Sequence, residues 1–229
     1  MAPALANTRA VVFDLYGTLL DVRSVEAACA EVVADPAAFV ALWRAKQLEY
    51  TFLRTLLDRY ADFWQVTRDA LEHAAARFDL RLESAASARL MDAWLRLAPY
   101  PEVPGALAAL GAGGRPLAVL SNGSPAMLEA ALQSSGLRAC FQHVLSVDGA
   151  RRYKPAAAVY QLACDALGLP PPRILFVSSN GFDVAGGSHF GFAVAWLNRA
   201  GAPPDRLGQT PLIEVPGLDA LVEALAGGG

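Results

Sequence analysis

The sequence predicts an α/β fold: a doubly wound parallel sheet whose first strand is followed by a helical insert. Three observations predict it. An apolar β-branched run, Val11-Val12-Phe13, stops abruptly at Asp14 and the turn Leu15-Tyr16-Gly17-Thr18. From Pro116 onward short apolar runs alternate with helical stretches, the pattern of βαβ units. Between these two regions, from about Arg23 to Leu97, the spacing is helical and no strand is evident.

The elements follow in order. Phe39, Leu42, Trp43, Tyr50 and Leu53 fall at intervals that keep them on one helical face of the insert. Pro99-Tyr100-Pro101-Glu102-Val103-Pro104-Gly105 is expected to be a non-helical return linker, because each proline lacks a donor and restricts the residue before it. The chain then divides into a core of residues 1-20 and 98-229 and a cap of residues 21-97. Strands are expected at Pro116 to Leu120, Val144 to Val147, Ile174 to Val177 and Ala193 to Leu197. Helices are expected at Pro125 to Ser135, Ala156 to Leu167, Phe182 to Phe190 and Leu218 to Leu225. Ser124-Pro125 reads as an N-cap followed by proline at the first helical position, while Gly136 and Gly168 sit where helix ends prefer glycine.

Composition narrows the function. With 229 residues, 54% of them hydrophobic and 18% charged, the chain can bury a sizeable core. A net charge of -3 leaves no basic stripe, so nucleic acid is not an expected partner and any anion must be bound locally. Cys29, Cys140 and Cys164 show no C-x-x-C spacing and read as core thiols of a reducing cytoplasm. No signal peptide or membrane span is evident, so a soluble cytoplasmic protein without a membrane partner is expected. His73, His143 and His189 lack metal-ligand spacing, and Gly111-Ala112-Gly113-Gly114 precedes its strand without a Walker lysine and reads as a turn.

Four polar clusters fall just after strands or between strand and helix, which brings them to one edge of a parallel sheet, where such folds bind ligands. They are Asp14, Ser121-Asn122, Lys154 and Ser178-Ser179-Asn180-Gly181-Phe182-Asp183. Asp14 has the chemistry of a nucleophile that needs no separate base, and equally that of a turn aspartate. Thr18 is placed to hydrogen-bond it, or to cap the turn. Ser121 and Asn122 precede a capped helix whose N-terminus suits an anion. Lys154 is read as lying at a helix start against the helix dipole, which suggests an acidic partner, with Asp14 the natural one; a surface lysine is the alternative.

Together, strand-D-x-x-G-T, strand-S-N, K-P and a last acid-bearing loop resemble the haloacid dehalogenase superfamily, whose core is Rossmann-like. More narrowly, Asp14-Leu15-Tyr16-Gly17-Thr18-Leu19, Leu42-Trp43-Arg44-Ala45-Lys46-Gln47-Leu48-Glu49-Tyr50-Thr51, Ser121-Asn122-Gly123, Tyr153-Lys154-Pro155 and Phe176-Val177-Ser178-Ser179-Asn180 resemble the L-2-haloacid dehalogenases. The resemblance implies that Asp14 displaces halide from C2 of a short L-2-haloalkanoate with inversion. An ester forms and water cleaves it, with no cofactor and no metal. It implies that Arg44 and Asn122 receive the halide between Leu48, Phe63 and Phe182. Ser121, Lys154 and the amides of Leu15 and Tyr16 would bind the substrate carboxylate or hold the nucleophile. Asn180 and Asp183 would handle the water, and Thr18, Tyr160 and Ser178 would support them. Relatives suggest a homodimer through the insert. On spacing alone, Leu48 and Phe63 read equally as insert core and Arg44 as a solvated residue.

Two other readings stand beside this one. A magnesium-dependent phosphatase of the same superfamily would need an acid two positions after Asp14, where this chain has Tyr16, a poor proton donor with an ordinary pKa near about 10. Its Gly-Asp metal position appears here as Ser178-Ser179, where magnesium would want a carboxylate. The third reading is a binding protein that keeps the fold without turnover.

Overall fold

The computed structural model describes residues 5–227, and the sheet within it runs as the alternation predicts. Strand β1 (Ala10–Phe13) lies in the middle, with β2 (Leu117–Ser121) and β3 (His143–Ser146) on one side. On the other side lie β4 (Ile174–Ser178), β5 (Ala193–Leu197) and β6 (Ile213–Val215), all parallel. All four residues of β1 are fully buried, as in a parallel sheet covered on both faces. The chain leaves β1 toward β2 and later returns to its other flank at β4, so the sheet's crevice opens at the carboxyl end of β1. Asp14 stands there, its amide donating to the Val177 carbonyl at 3.0 Å.

Between β1 and β2 come a 3-10 turn (Val22–Val25) and five α-helices. The helices are α1 (Glu26–Cys29), α2 (Pro36–Leu56), α3 (Phe63–Arg77), α4 (Ser84–Ala93) and α5 (Val103–Ala112). Helix α2 starts where Asp35 accepts the Ala38 amide, with Pro36 in the first turn. It buries Phe39, Val40, Trp43, Gln47 and Thr51, one stripe that runs in steps of three or four from the adjacent pair Phe39 and Val40. Trp43 donates its indole proton to the Thr67 carbonyl at 2.8 Å and so fixes α2 on α3. Truncating this fully buried ring to alanine costs about 3–5 kcal/mol. The stripe is narrower than its sequence pattern: Leu53 is 43% exposed, because the packed face has turned to Gln47 and Thr51 by that point.

The second half carries α6 (Pro125–Ser134), α7 (Ala157–Leu167), α8 (Gly181–Phe190) and α9 (Leu218–Ala226), each within two residues of its sequence bounds. Two expectations need correction. The return linker ends early: α5 begins at Val103, and Pro104 is accommodated because first-turn amides have no helical partner to lose. Lys154 does not start a helix, since α7 begins at Ala157 and Lys154 sits in the preceding turn. Asp183 lies in the first turn of α8, inside the helix expected from Phe182. The two connections to the insert meet, with Asp21 N–H on the Ala98 carbonyl at 2.8 Å and Tyr100 N–H on the Leu19 carbonyl at 3.1 Å. Among the described residues no helix is long and apolar enough to cross a membrane, and Cys29, Cys140 and Cys164 are free thiols.

Candidate active site

The turn after β1 builds the centre of the site. Gly17 takes φ of +84°, which lets the chain reverse and sends Thr18 back toward Asp14. The Thr18 hydroxyl donates to Asp14 Oδ2 at 2.9 Å and accepts the Ser179 amide at 3.0 Å. Asn180 Nδ2 donates to the same Asp14 Oδ2 at 2.8 Å and to the Tyr16 carbonyl at 3.2 Å. The remaining oxygen, Oδ1, takes the Lys154 ammonium at 3.1 Å. Asp14 is 6% exposed and Lys154 1%, so this is a buried ion pair and not a surface one.

Lys154 also donates to Asp183 Oδ2 at 2.9 Å, and the Tyr160 hydroxyl donates to Asp183 Oδ1 at 2.8 Å. Burial pulls the Lys154 ammonium down, but the Asp14 and Asp183 carboxylates outweigh it and hold the ammonium above its ordinary pKa. Burial pushes the Asp183 carboxyl up to about 6, against the pull of Lys154 and with a further push from Asp14. Burial, with Asp183 alongside, raises the Tyr160 phenol far above its usual range and keeps it a donor. One ammonium thus bridges two carboxylates, which makes removal of any member costly: a buried charge left unpaired costs about 3–5 kcal/mol.

The flanking residues join this centre less directly. Ser178 accepts the Asn180 amide at 3.1 Å, and Asn122 Oδ1 accepts the Lys154 amide at 3.1 Å, fixing the turn that carries the ammonium. Ser121 ends β2, fully buried, and accepts the Gly123 amide at 3.3 Å. Gly123 leaves room for Tyr16: a Cβ there would meet the tyrosine ring at 2.9 Å.

The insert supplies the other wall. Arg44 reaches down from α2 to place Nη2 3.5 Å from the Tyr16 carbonyl, while Nη1 donates to Gln47 Oε1 at 2.5 Å. Gln47, fully buried, donates in turn to Thr67 Oγ1 at 2.7 Å. Burial lowers the Arg44 pKa and the Asp14 carboxylate opposes that shift; a guanidinium with an ordinary pKa above about 12 remains charged. The Tyr16 ring lies 5.8 Å from Phe63 and 6.1 Å from Trp94, and the Arg44 guanidinium 6.0 Å from the Trp94 ring. Leu48, half-buried, lies one turn along α2 from Arg44. Phe182 packs edge-on against Phe52 of α2 with ring centres 5.2 Å apart. With Phe52, Thr55, Leu56, Tyr153 and Lys154 it lines an apolar cavity of about 420 Å3.

Among the described residues only two buried side-chain polar atoms lack a hydrogen-bond partner, the Tyr16 hydroxyl and the Trp94 indole nitrogen. Both belong to the aromatic group beside Arg44, both can donate, and burial holds the Tyr16 phenol above its usual pKa. Buried donors are normally paired, so two orphans beside one guanidinium mark a place that suits an acceptor.

Similarity to known proteins decides the family. Residues 8–191 match the model of the haloacid dehalogenase-like hydrolases. The chain belongs to that family. It is 49% identical to an (S)-2-haloacid dehalogenase of Pseudomonas sp. strain YL over 216 residues, covering 94% of this chain and 93% of the relative. It is 44% identical over 223 residues to haloacetate dehalogenase H-2 of Moraxella sp. strain B, covering 97% of this chain and all of that one. The solved L-2-haloacid dehalogenase of Xanthobacter autotrophicus with chloropropionic acid covalently bound superposes with a TM-score of 0.90 at 38% identity, over 96% of this chain and 99% of that one. A haloacid dehalogenase-like hydrolase is also what the sheet order and the helical insert describe. Gln47 and Trp94 are polar residues at this site that sequence reasoning missed. Only Gln47 had a signal, a polar residue on the buried stripe of α2.

Proposed function

We propose that the chain hydrolyses the carbon–halogen bond of short L-2-haloalkanoates to D-2-hydroxyalkanoates and halide, with Asp14 as nucleophile and a cap of residues 21–97 over a core of residues 1–20 and 98–229. The observation that carries the residue roles is the unequal bonding of Asp14: Oδ2 takes two donors, Thr18 and Asn180, whereas Oδ1 takes Lys154 alone. Oδ1 attacks C2 from the side opposite the halogen; its electron pair forms the C–O bond, and the C–X pair leaves with the halide. Arg44, Asn122 and the orphan donors of Tyr16 and Trp94 receive the anion. A charge that develops beside a buried guanidinium is stabilised far more than in water. Leu48, Phe63 and Phe182 supply apolar surface around it. Ser121, Lys154 and the amides of Leu15 and Tyr16 hold the substrate carboxylate.

Water then adds to the Asp14 ester carbonyl. The carbonyl oxygen is the former Oδ2, already bonded to Thr18 Oγ1 and Asn180 Nδ2, so these donors meet the charge of the tetrahedral intermediate. Asp183, oriented by Lys154 and Tyr160, takes one proton of the water; collapse breaks the ester C–O bond, the departing alkoxide takes the water's second proton from the new carboxyl group, and the Asp14 carboxylate and the hydroxyacid result, with Asp183 giving its proton to solvent. Ser178 keeps Asn180 in place. The exposed leucines at the end of α2, Leu53, Leu56 and Leu57, support a homodimer formed through the insert, and the free thiols suit a cytoplasmic setting.

The phosphatase reading has less support. Asp183 is committed to Lys154 and Tyr160, and Ser179 takes the Arg199 guanidinium where a metal-binding acid would be needed. Halide release from each enantiomer of 2-chloropropionate, with and without EDTA, tests the proposal. Chelator-insensitive release from the L-enantiomer alone supports it, and release that requires magnesium overturns it.

A further inference from the structure

Arg199 lies two residues beyond β5, outside every role described above, yet its guanidinium joins three segments of the site. Nε donates to Glu102 Oε1 at 2.8 Å, and Nη2 lies 2.7 Å from the same oxygen in an ion pair. Nη2 also donates to the Thr18 carbonyl at 2.9 Å, and Nη1 to Ser179 Oγ at 3.1 Å. Its Cζ lies 3.9 Å from the centre of the Tyr100 ring. Thr18 belongs to the nucleophile turn, Ser179 to the β4–α8 connection, and Tyr100 and Glu102 to the chain returning from the insert.

We propose that Arg199 is a positioning residue for the nucleophile, acting through Thr18 and Ser179. The Thr18 hydroxyl has one proton, and where it points sets the bond to Asp14 Oδ2. The Ser179 amide occupies an acceptor lone pair of that hydroxyl at 3.0 Å and leaves the proton for Asp14. Arg199 holds the two groups that impose this arrangement: the main chain of Thr18 by its carbonyl, and Ser179 by its hydroxyl. Glu102 and Tyr100 hold Arg199 itself from the side of the insert, where the Tyr100 amide also bonds the Leu19 carbonyl. A planar fork with five donors can satisfy all these acceptors at once, and an ammonium cannot. The clamp therefore ties the position of the Asp14 carboxylate to the seating of the return segment.

The inference rests on Asp14 as nucleophile, so the experiment reads that first. Under single turnover with excess enzyme and L-2-chloropropionate, rapid quenching and mass spectrometry follow the ester on Asp14 in the wild type, Arg199→Met, Arg199→Lys and Glu102→Gln. Expected is ester formation slowed roughly tenfold to a hundredfold in Arg199→Met, the scale of an ångström-sized misplacement. Arg199→Lys and Glu102→Gln should fall between it and the wild type. Halide product inhibition, which reads the Arg44 side, should stay within about twofold in all four. Ester formation at the wild-type rate in folded Arg199→Met overturns the inference. So does a loss that is equal in the methionine and lysine variants and is accounted for by their folded fractions. Turnover by the wild type with no ester on Asp14 overturns the nucleophile assignment instead, and is told apart because it appears before any variant is compared.

Discussion

Asn180 Nδ2 donates at 2.8 Å to Asp14 Oδ2, the oxygen that also takes the Thr18 hydroxyl, and so makes the two carboxylate oxygens chemically different. An oxygen held by two donors is a poor nucleophile and a well-prepared ester carbonyl. Asn180→Ala should therefore slow ester hydrolysis more than ester formation. A burst of halide equal to the enzyme is expected, followed by turnover reduced roughly 100-fold to 1,000-fold, the usual loss for one oxyanion donor. Equal slowing of both steps would contradict the assignment of Oδ2.

Asp14→Asn should lower halide release by at least roughly 1,000-fold, because no other carboxylate at the site is free to attack. In a single turnover in heavy-oxygen water the label should enter Asp14, with the product carrying the enzyme's original oxygen. Label found only in the hydroxyacid would mean direct attack by water.

Tyr16 gives a prediction whose sign differs between stability and binding, and Trp94 joins it for binding. A buried donor without a partner costs about 1–3 kcal/mol, so Tyr16→Phe, which removes only the hydroxyl, should raise the melting temperature of the free protein, whereas Trp94→Phe also empties buried ring volume that offsets the gain. The same changes should weaken product inhibition by chloride and bromide, since the anion loses a donor. Unchanged halide inhibition in both variants would remove these residues from the leaving-group pocket.

Arg44→Lys tests the cap side. Gln47 holds the guanidinium at 2.5 Å, and a lysine ammonium cannot both take that bond and reach the Tyr16 carbonyl. A loss in kcat of roughly 100-fold or more is expected, steeper for chloride than for iodide, because the better leaving group needs less stabilisation. A loss independent of the halogen would place Arg44 elsewhere in the reaction.

How much of this the chain announces depends on whether a residue's role is local. Asp14 and Thr18 follow β1, Asp183 opens α8 and Lys154 sits in the turn before α7, and the sheet edge collects them whatever the insert does. The strands were legible for the same reason, except β6, whose three residues include a charged Glu214 and are too short to show a pattern. Arg199 and Trp94 were not legible, because nothing nearby in sequence points to Glu102, Thr18 or Arg44. Leu53 misled through periodicity: it keeps the helical spacing of α2 after that face has left the core.

The buried Asp14–Lys154–Asp183 triad sets the pH dependence. Because the folded Asp183 pKa, about 6, lies above its ordinary value near 3.8, the folded protein binds more protons than the unfolded one between these values. This group's contribution to stability is fully present below about 4 and is lost as the pH rises through about 6. Activity runs the other way, since a protonated Asp183 can neither take the proton from water nor balance Lys154. Hydrolysis of the ester should fall tenfold per pH unit below about 6, while at the alkaline end Lys154, held above its ordinary pKa by two carboxylates, keeps its charge past pH 10.5. Asp183→Asn should abolish the acid limb of whatever residual rate remains, and an acid limb that persists there with the same midpoint would assign it to another group.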